Sequence, residues 1–115
     1  MADLKNSGRK SEIQLTIELD QTNIPEKISW KASDNNNQSQ EAKALLLGLW
    51  DKQEGNGVSI DLWTKEMTVP EMNIFFYQTL LSMSDTILRS TQDKTLSELI
   101  RNFATTFIQK VNSAV

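Results

Sequence analysis

Ile13-Gln14-Leu15-Thr16-Ile17-Glu18-Leu19 alternates without a break. Ile13, Leu15, Ile17 and Leu19 point one way, and Glu12, Gln14, Thr16 and Glu18 the other, the period of two that marks a half-buried strand. Asp20-Gln21-Thr22-Asn23 then supplies turn formers. Beyond Pro25 the same alternation returns, with Ile28, Trp30 and Ala32 on one face and Lys27, Ser29 and Lys31 on the other. Acidic Glu18 and basic Lys27 and Lys31 on the polar faces suit cross-strand pairing, so an antiparallel hairpin is expected.

Working outward, Asp34-Asn35-Asn36-Asn37-Gln38-Ser39 reads as a polar loop. Ser39 is placed to cap a helix over about 40–53, where Ala42, Leu45, Leu46, Leu49 and Trp50 fall at helical spacing and Leu47 lies outside the stripe. Gly55-Asn56-Gly57 ends that helix and turns the chain. Val58-Ser59-Ile60-Asp61-Leu62-Trp63 reads as a third strand with Val58, Ile60 and Leu62 inward. Thr68-Val69-Pro70-Glu71 is a capping box with proline in the first turn, opening a helix that runs to about Ser90. Its stripe is Met72, Phe76, Leu80, Met83 and Ile87. A second capping box, Thr95-Leu96-Ser97-Glu98, opens a last helix, and the short joint at 91–94 favours an antiparallel helix pair. The expected fold is α+β, a small antiparallel three-stranded sheet with three helices on one face in the order ββαβαα. Residues 1–10 read as a disordered tail and 11–115 as one domain.

Composition narrows function mainly by exclusion. The 115 residues contain no Cys and no His, which removes disulfides, thiolate chemistry, zinc knuckles and the usual general base near neutral pH. Twelve Lys+Arg against fifteen Asp+Glu give a net charge of −3, which argues against a nucleic-acid partner. No apolar run follows the N-terminal charges, and no stretch approaches the roughly 20 residues of a membrane span. A cytoplasmic protein without direct membrane insertion is expected.

Carboxylates are the remaining chemical candidates. Asp51 and Glu54, and Asp61 and Glu66, lie near one another in sequence. Acid–base work requires a cleft that separates their environments, and solvated surface is the plainer reading. No loop has the spacing of a magnesium, calcium or phosphate site. Trp30 and Trp50 fall on apolar stripes and are expected in the core. Trp63 has outward parity beside Ser59 and Asp61, and admits two readings. It is an exposed interface anchor, or it tucks inward where the strand twists after Leu62. Phe75-Phe76-Tyr77 spans so much of the helix circumference that one ring reaches past its own core stripe. The free edges of a small sheet recruit strands, so a homodimer through a sheet edge or through the helix pair is expected.

Ile60-Asp61-Leu62-Trp63-Thr64-Lys65-Glu66-Met67 and the run Glu71-Met72-Asn73-Ile74-Phe75-Phe76-Tyr77-Gln78 through Leu81-Ser82-Met83-Ser84-Asp85-Thr86 resemble the gliding-motility-associated GldC family. Ser11-Glu12-Ile13, Ile24-Pro25-Glu26-Lys27-Ile28-Ser29-Trp30 and Ala42-Lys43-Ala44 through Leu49-Trp50-Asp51 are similar as well, so the resemblance spans about residues 11–110. It implies a small accessory component of a gliding apparatus coupled to secretion, with no catalytic activity and no cofactor. No catalytic or metal-binding residue is carried over. The matching stretch supplies partner-binding candidates only: Asp61, Trp63, Lys65 and Phe75. The expected function is a non-enzymatic adaptor for a protein of the gliding or secretion apparatus. The alternative is a holdase-like chaperone for exported chains. A third, ligand-binding or enzymatic role requires a closed apolar pocket containing Asp61 or Glu71.

Overall fold

A computed structural model describes residues 9–113. Residues 1–8, most of the expected disordered tail, lie outside the described residues. The chain forms two compact units that divide between Met67 and Thr68.

The first unit is all β. Strand β1 (Ile13–Leu19) pairs antiparallel with β2 (Pro25–Ala32), with Ile13 opposite Ala32, Leu15 opposite Trp30 and Ile17 opposite Ile28. The expected hairpin parity holds: the apolar rows meet each other, and Glu18 lies opposite Lys27 with a 4.0 Å ion pair. Ile28, at the centre of this sheet, is completely buried, and Trp30 is half-buried. After a 3₁₀ turn (Ser33–Asn35), Asn36 and Asn37 take left-handed backbone angles that Asn tolerates well. Strand β3 (Gln40–Ala42) then adds to β2 and completes a three-stranded sheet in the order β1-β2-β3.

The expectation of a helix over 40–53 is overturned. Residues 40–42 are β3, and Ala44–Asp51 form strand β4, which pairs along its whole length with β5 (Asn56–Trp63) in a second, two-stranded sheet. Two forces explain the outcome. Gly48 in the middle of a helix costs about 1 kcal/mol relative to Ala. The strand conformation gives every residue of β5 a ladder partner in β4 and satisfies the backbone of both strands. The fold is therefore α+β with antiparallel sheets, but the described residues form five strands in two sheets and two α-helices rather than three helices on one sheet.

The second unit is a helical hairpin. Helix α1 (Val69–Thr91) starts at the expected capping box: Thr68 Oγ1 accepts from Glu71 N–H at 3.2 Å, and the Glu71 carboxylate accepts from Thr68 N–H at 3.0 Å. It ends at Gln92, which adopts φ 62°. Helix α2 (Lys94–Ser113) starts one residue before the expected second capping box. Its cap is Asp93, whose Oδ1 accepts from Leu96 N–H at 3.1 Å, the N3 donor of a helix that starts at Lys94. The helices run antiparallel, as the short joint implied. Ser84 and Ser97 are buried between them, each hydroxyl within 2.9 Å of the other residue's carbonyl. Phe76 stacks on Phe107 with centroids 6.5 Å apart.

Candidate interaction surface

The β4–β5 hairpin carries the candidate residues, and Asp51 shapes its turn. Asp51 Oδ1 accepts from the N–H groups of Gln53 and Glu54, both at 2.9 Å, and its carbonyl accepts from Gly55 N–H at 3.0 Å. Gly55 sits at φ +65°, where a Cβ would be strained. The turn fixes the register: Ala44 opposite Trp63, Leu46 opposite Asp61, Gly48 opposite Ser59 and Trp50 opposite Gly57.

Alternation places those eight side-chain positions on one face. Trp63 is 58% exposed and Trp50 74% exposed, so Trp63 is an exposed ring and Trp50 is not the core residue expected of it. The correction follows from the change of element. On a helix Trp50 shares a stripe with Leu45, Leu46 and Leu49, whereas on a strand it shares a face with Leu46 and, across the hairpin, with Asp61 and Trp63. The two indoles stand at opposite ends of the face, about 20 Å apart at 3.3–3.4 Å per residue. Gly48 and Ser59 lie between them, with Ala44 opposite Trp63 and Gly57 opposite Trp50, and a Cβ at Gly48 would meet nothing within 4 Å. The result is a low floor bounded by two tryptophans, with Leu46 and Asp61 toward the Trp63 end. The opposite face, with Val58, Ile60 and Leu62 of β5 and Leu45, Leu47 and Leu49 of β4, is apolar too. Val58 and Ile60, expected inward, are both exposed.

The outer edge of β5 adds backbone groups to this surface. Lys43 O accepts both the N–H of Thr64, at 2.8 Å, and its hydroxyl, at 3.0 Å. That bond makes residues 43 and 64 a mutually bonded pair, so 62, 60 and 58 face β4. Trp63, Asp61, Ser59 and Gly57 turn their peptide groups to the free edge.

The other two candidates are placed differently. Lys65 Nζ lies 3.1 Å from Asp20 Oδ2, an ion pair that ties the β1–β2 turn to the segment after β5. Asp20 also accepts from the N–H of Ile24 and from the hydroxyl and N–H of Thr22. The Ile24 N–H first, then the Thr22 hydroxyl, the Lys65 ammonium and the Thr22 N–H hold its carboxyl far below the usual carboxylate range. Phe75 belongs to α1 in the second unit, where it is half-buried and its carbonyl accepts the Thr79 hydroxyl at 2.8 Å. Asp61 and Trp63 are thus brought together, Lys65 is engaged by Asp20, and Phe75 stands in a separate unit.

Chemically, the surface offers rings, a carboxylate and strand backbone. Two open depressions, of about 230 Å³ beside Gln14, Thr16 and Lys31 and about 170 Å³ beside Ile28, Lys43 and Thr64, include neither Asp61 nor Glu71. Among the described residues no three carboxylates gather as a metal site, and no helix is long and apolar enough to cross a membrane. Trp50 and Leu46 are the residues that sequence reasoning left off this face. The signal was present in Gly48 and in the turn formers Asp51 and Gly55, both of which fit a hairpin.

The molecule is a small α+β protein, antiparallel sheets followed by a helical hairpin, that displays an aromatic surface. The model of the gliding motility-associated protein GldC-like family matches residues 25–113, and the chain belongs to that family. The match begins at β2, so β1 precedes it. No curated protein and no solved structure matches the chain.

Proposed function

We propose that this protein is a non-enzymatic, cytoplasmic adaptor of the gliding-motility apparatus and its associated secretion machinery. It binds a protein component through the Trp50–Trp63 face of the β4–β5 hairpin. The observation that carries the reading is the exposure of both indoles on one strand face beside a free strand edge. Aromatic anchors are enriched at the centres of protein contacts. A free edge lets a partner strand add to the sheet while its side chains take the flanking rings. Family membership supplies the setting, gliding motility. Asp61, two residues from Trp63 on the same face, favours a partner strand with a basic residue at that register.

The test is affinity purification of the tagged protein from its native cells, with mass spectrometry of co-purifying proteins. One or two stoichiometric motility or secretion proteins that are lost in Trp63→Ala and Trp50→Ala, with circular dichroism unchanged, would support the adaptor. Partners retained in both variants would move the site elsewhere.

A holdase is the second reading, favoured by exposed large apolar residues on both units, among them Leu49, Val58, Met83, Leu99 and Phe103. It predicts delayed thermal aggregation of model clients at equimolar ratio. No delay with any client would count decisively against it.

A further inference from the structure

The outer edge of β1 has no strand partner among the described residues. In the order β1-β2-β3, β1 is an edge strand. Ser33 N–H donates to Glu12 O at 3.0 Å, and Asp20 N–H donates to Ile24 O at 2.9 Å. These bonds bracket the strand and fix its phase: the peptide groups of 14, 16 and 18 face β2, and those of Ile13, Leu15, Ile17 and Leu19 face outward. Natural edges are usually blunted by lysine, proline or a bulge that twists them away. β1 carries only one charge, Glu18, and no proline, and the one register shift, between Glu18 and Leu19, skips Glu26 on the β2 side and leaves the outward peptides of β1 in phase. Its side chains stay exposed on the apolar face, with Ile13 at 75%, Leu19 at 52% and Leu15 at 40%.

The geometry points to a two-fold symmetric dimer in which β1 of one protomer pairs antiparallel with β1 of a second copy, centred on Thr16. The strand reads nearly the same in both directions, Ile-x-Leu-x-Ile-x-Leu, and this register alone uses all of it. Ile13 then lies opposite Leu19 of the other copy, and Leu15 opposite Ile17. These are the residues whose peptide groups point outward, so the backbone phase and the side-chain pattern select the same alignment. Gln14 falls opposite Glu18 and Thr16 opposite Thr16, so no like charges meet within the strand; one step beyond it Glu12 falls opposite Asp20, whose carboxylate is already paired with Lys65. The two three-stranded sheets join into one, and their apolar rows run on across the join, where cross-strand side-chain pairs stabilise the sheet. The β5 edge is less suited to a second copy: the equivalent alignment sets Gly57 against Trp63 and brings Asp61 into the bonded rows.

The absence of native cysteine makes the test clean. Thr16→Cys places two thiols in a non-hydrogen-bonded antiparallel pair, with Cα atoms about 4.5 Å apart, within disulfide reach. Ser29, opposite Thr16 inside the sheet, is the control. Its two copies stand three strand spacings apart, about 14 Å. Under mild oxidation the full-length Thr16→Cys chain is expected to form a disulfide dimer roughly tenfold faster than Ser29→Cys. Sedimentation over a concentration series is expected to show a wild-type dimer. Ile17→Pro is expected to be monomeric, since it deletes an outward N–H that the β1–β2 ladder does not use. A wild type that stays monomeric, or equal cross-linking rates at the two positions, would overturn the proposal. So would a dimer lost in Phe103→Glu but kept in Ile17→Pro. Should Ile17→Pro fail to fold, the cysteine comparison decides.

Discussion

Asp20 gathers three hydrogen bonds from its own turn and one from Lys65, some forty-five residues away in sequence. All of them favour the ionised carboxylate, so its folded pKa lies below the ordinary 3.8. The sign follows: the stability this group contributes is fully present above about pH 4 and is lost as pH falls below that value. Asp20→Asn is expected to lower Tm at pH 7, with the gap to wild type narrowing on acidification below about pH 4. Thermal melts across a pH series read both effects. Lys65→Ala removes one of four partners and is expected to lower Tm less. Asp20 was legible in the sequence only as a turn former, because its tie to Lys65 is a long-range fact that no local pattern records.

At the scale of elements, the Thr68–Glu71 capping box was fully readable, since it depends on residues three apart and on nothing else. Thr68→Ala is expected to cost about 1 kcal/mol in denaturant melts. The alternating strands β1, β2 and β5 were readable for the same reason: their period is local. Strand β4 was not. Its run Leu45-Leu46-Leu47-Gly48-Leu49-Trp50 is apolar at both periods, and what decides between them is the long-range pairing of β4 with β5. Half of the candidate surface was lost with that choice, because Trp50 joins Trp63 only on a strand. Lys43 and Thr64 mark where the chain leaves one sheet for the other. Thr64 is 3% exposed and its hydroxyl returns to Lys43 O, so Thr64→Val is expected to destabilise by about 1 kcal/mol. Gly55→Ala, forced to φ +65°, is expected to cost about 1–2 kcal/mol by the same measurement.

Across the whole molecule, little is fully enclosed. Among the described residues only Ile28 and Ala104 are completely buried apolar side chains, while rings and aliphatics of both units reach solvent. A chain in that condition gains stability from whatever covers it, and a partner that binds only the folded state raises Tm by mass action. For a protein that pairs through β1, Tm is expected to rise with protein concentration, and Ile17→Pro is expected to flatten that dependence. Differential scanning calorimetry over a concentration series reads it.

The two serines between the helices have a mechanical consequence. Each hydroxyl finds its acceptor on the opposite backbone only when residues 84 and 97 stand level. Sliding one helix along the other by a turn, about 5.4 Å, would strand both hydroxyls away from water. Each stranded hydroxyl costs about 1–3 kcal/mol. Prising the helices apart meets no such tooth, since water enters and satisfies both groups as they separate. The hairpin therefore resists shear along its axis more stiffly than it resists peeling: a load that slides one helix along the other meets a latch, whereas a load pulled through its two chain ends, which lie together at the open end, peels it.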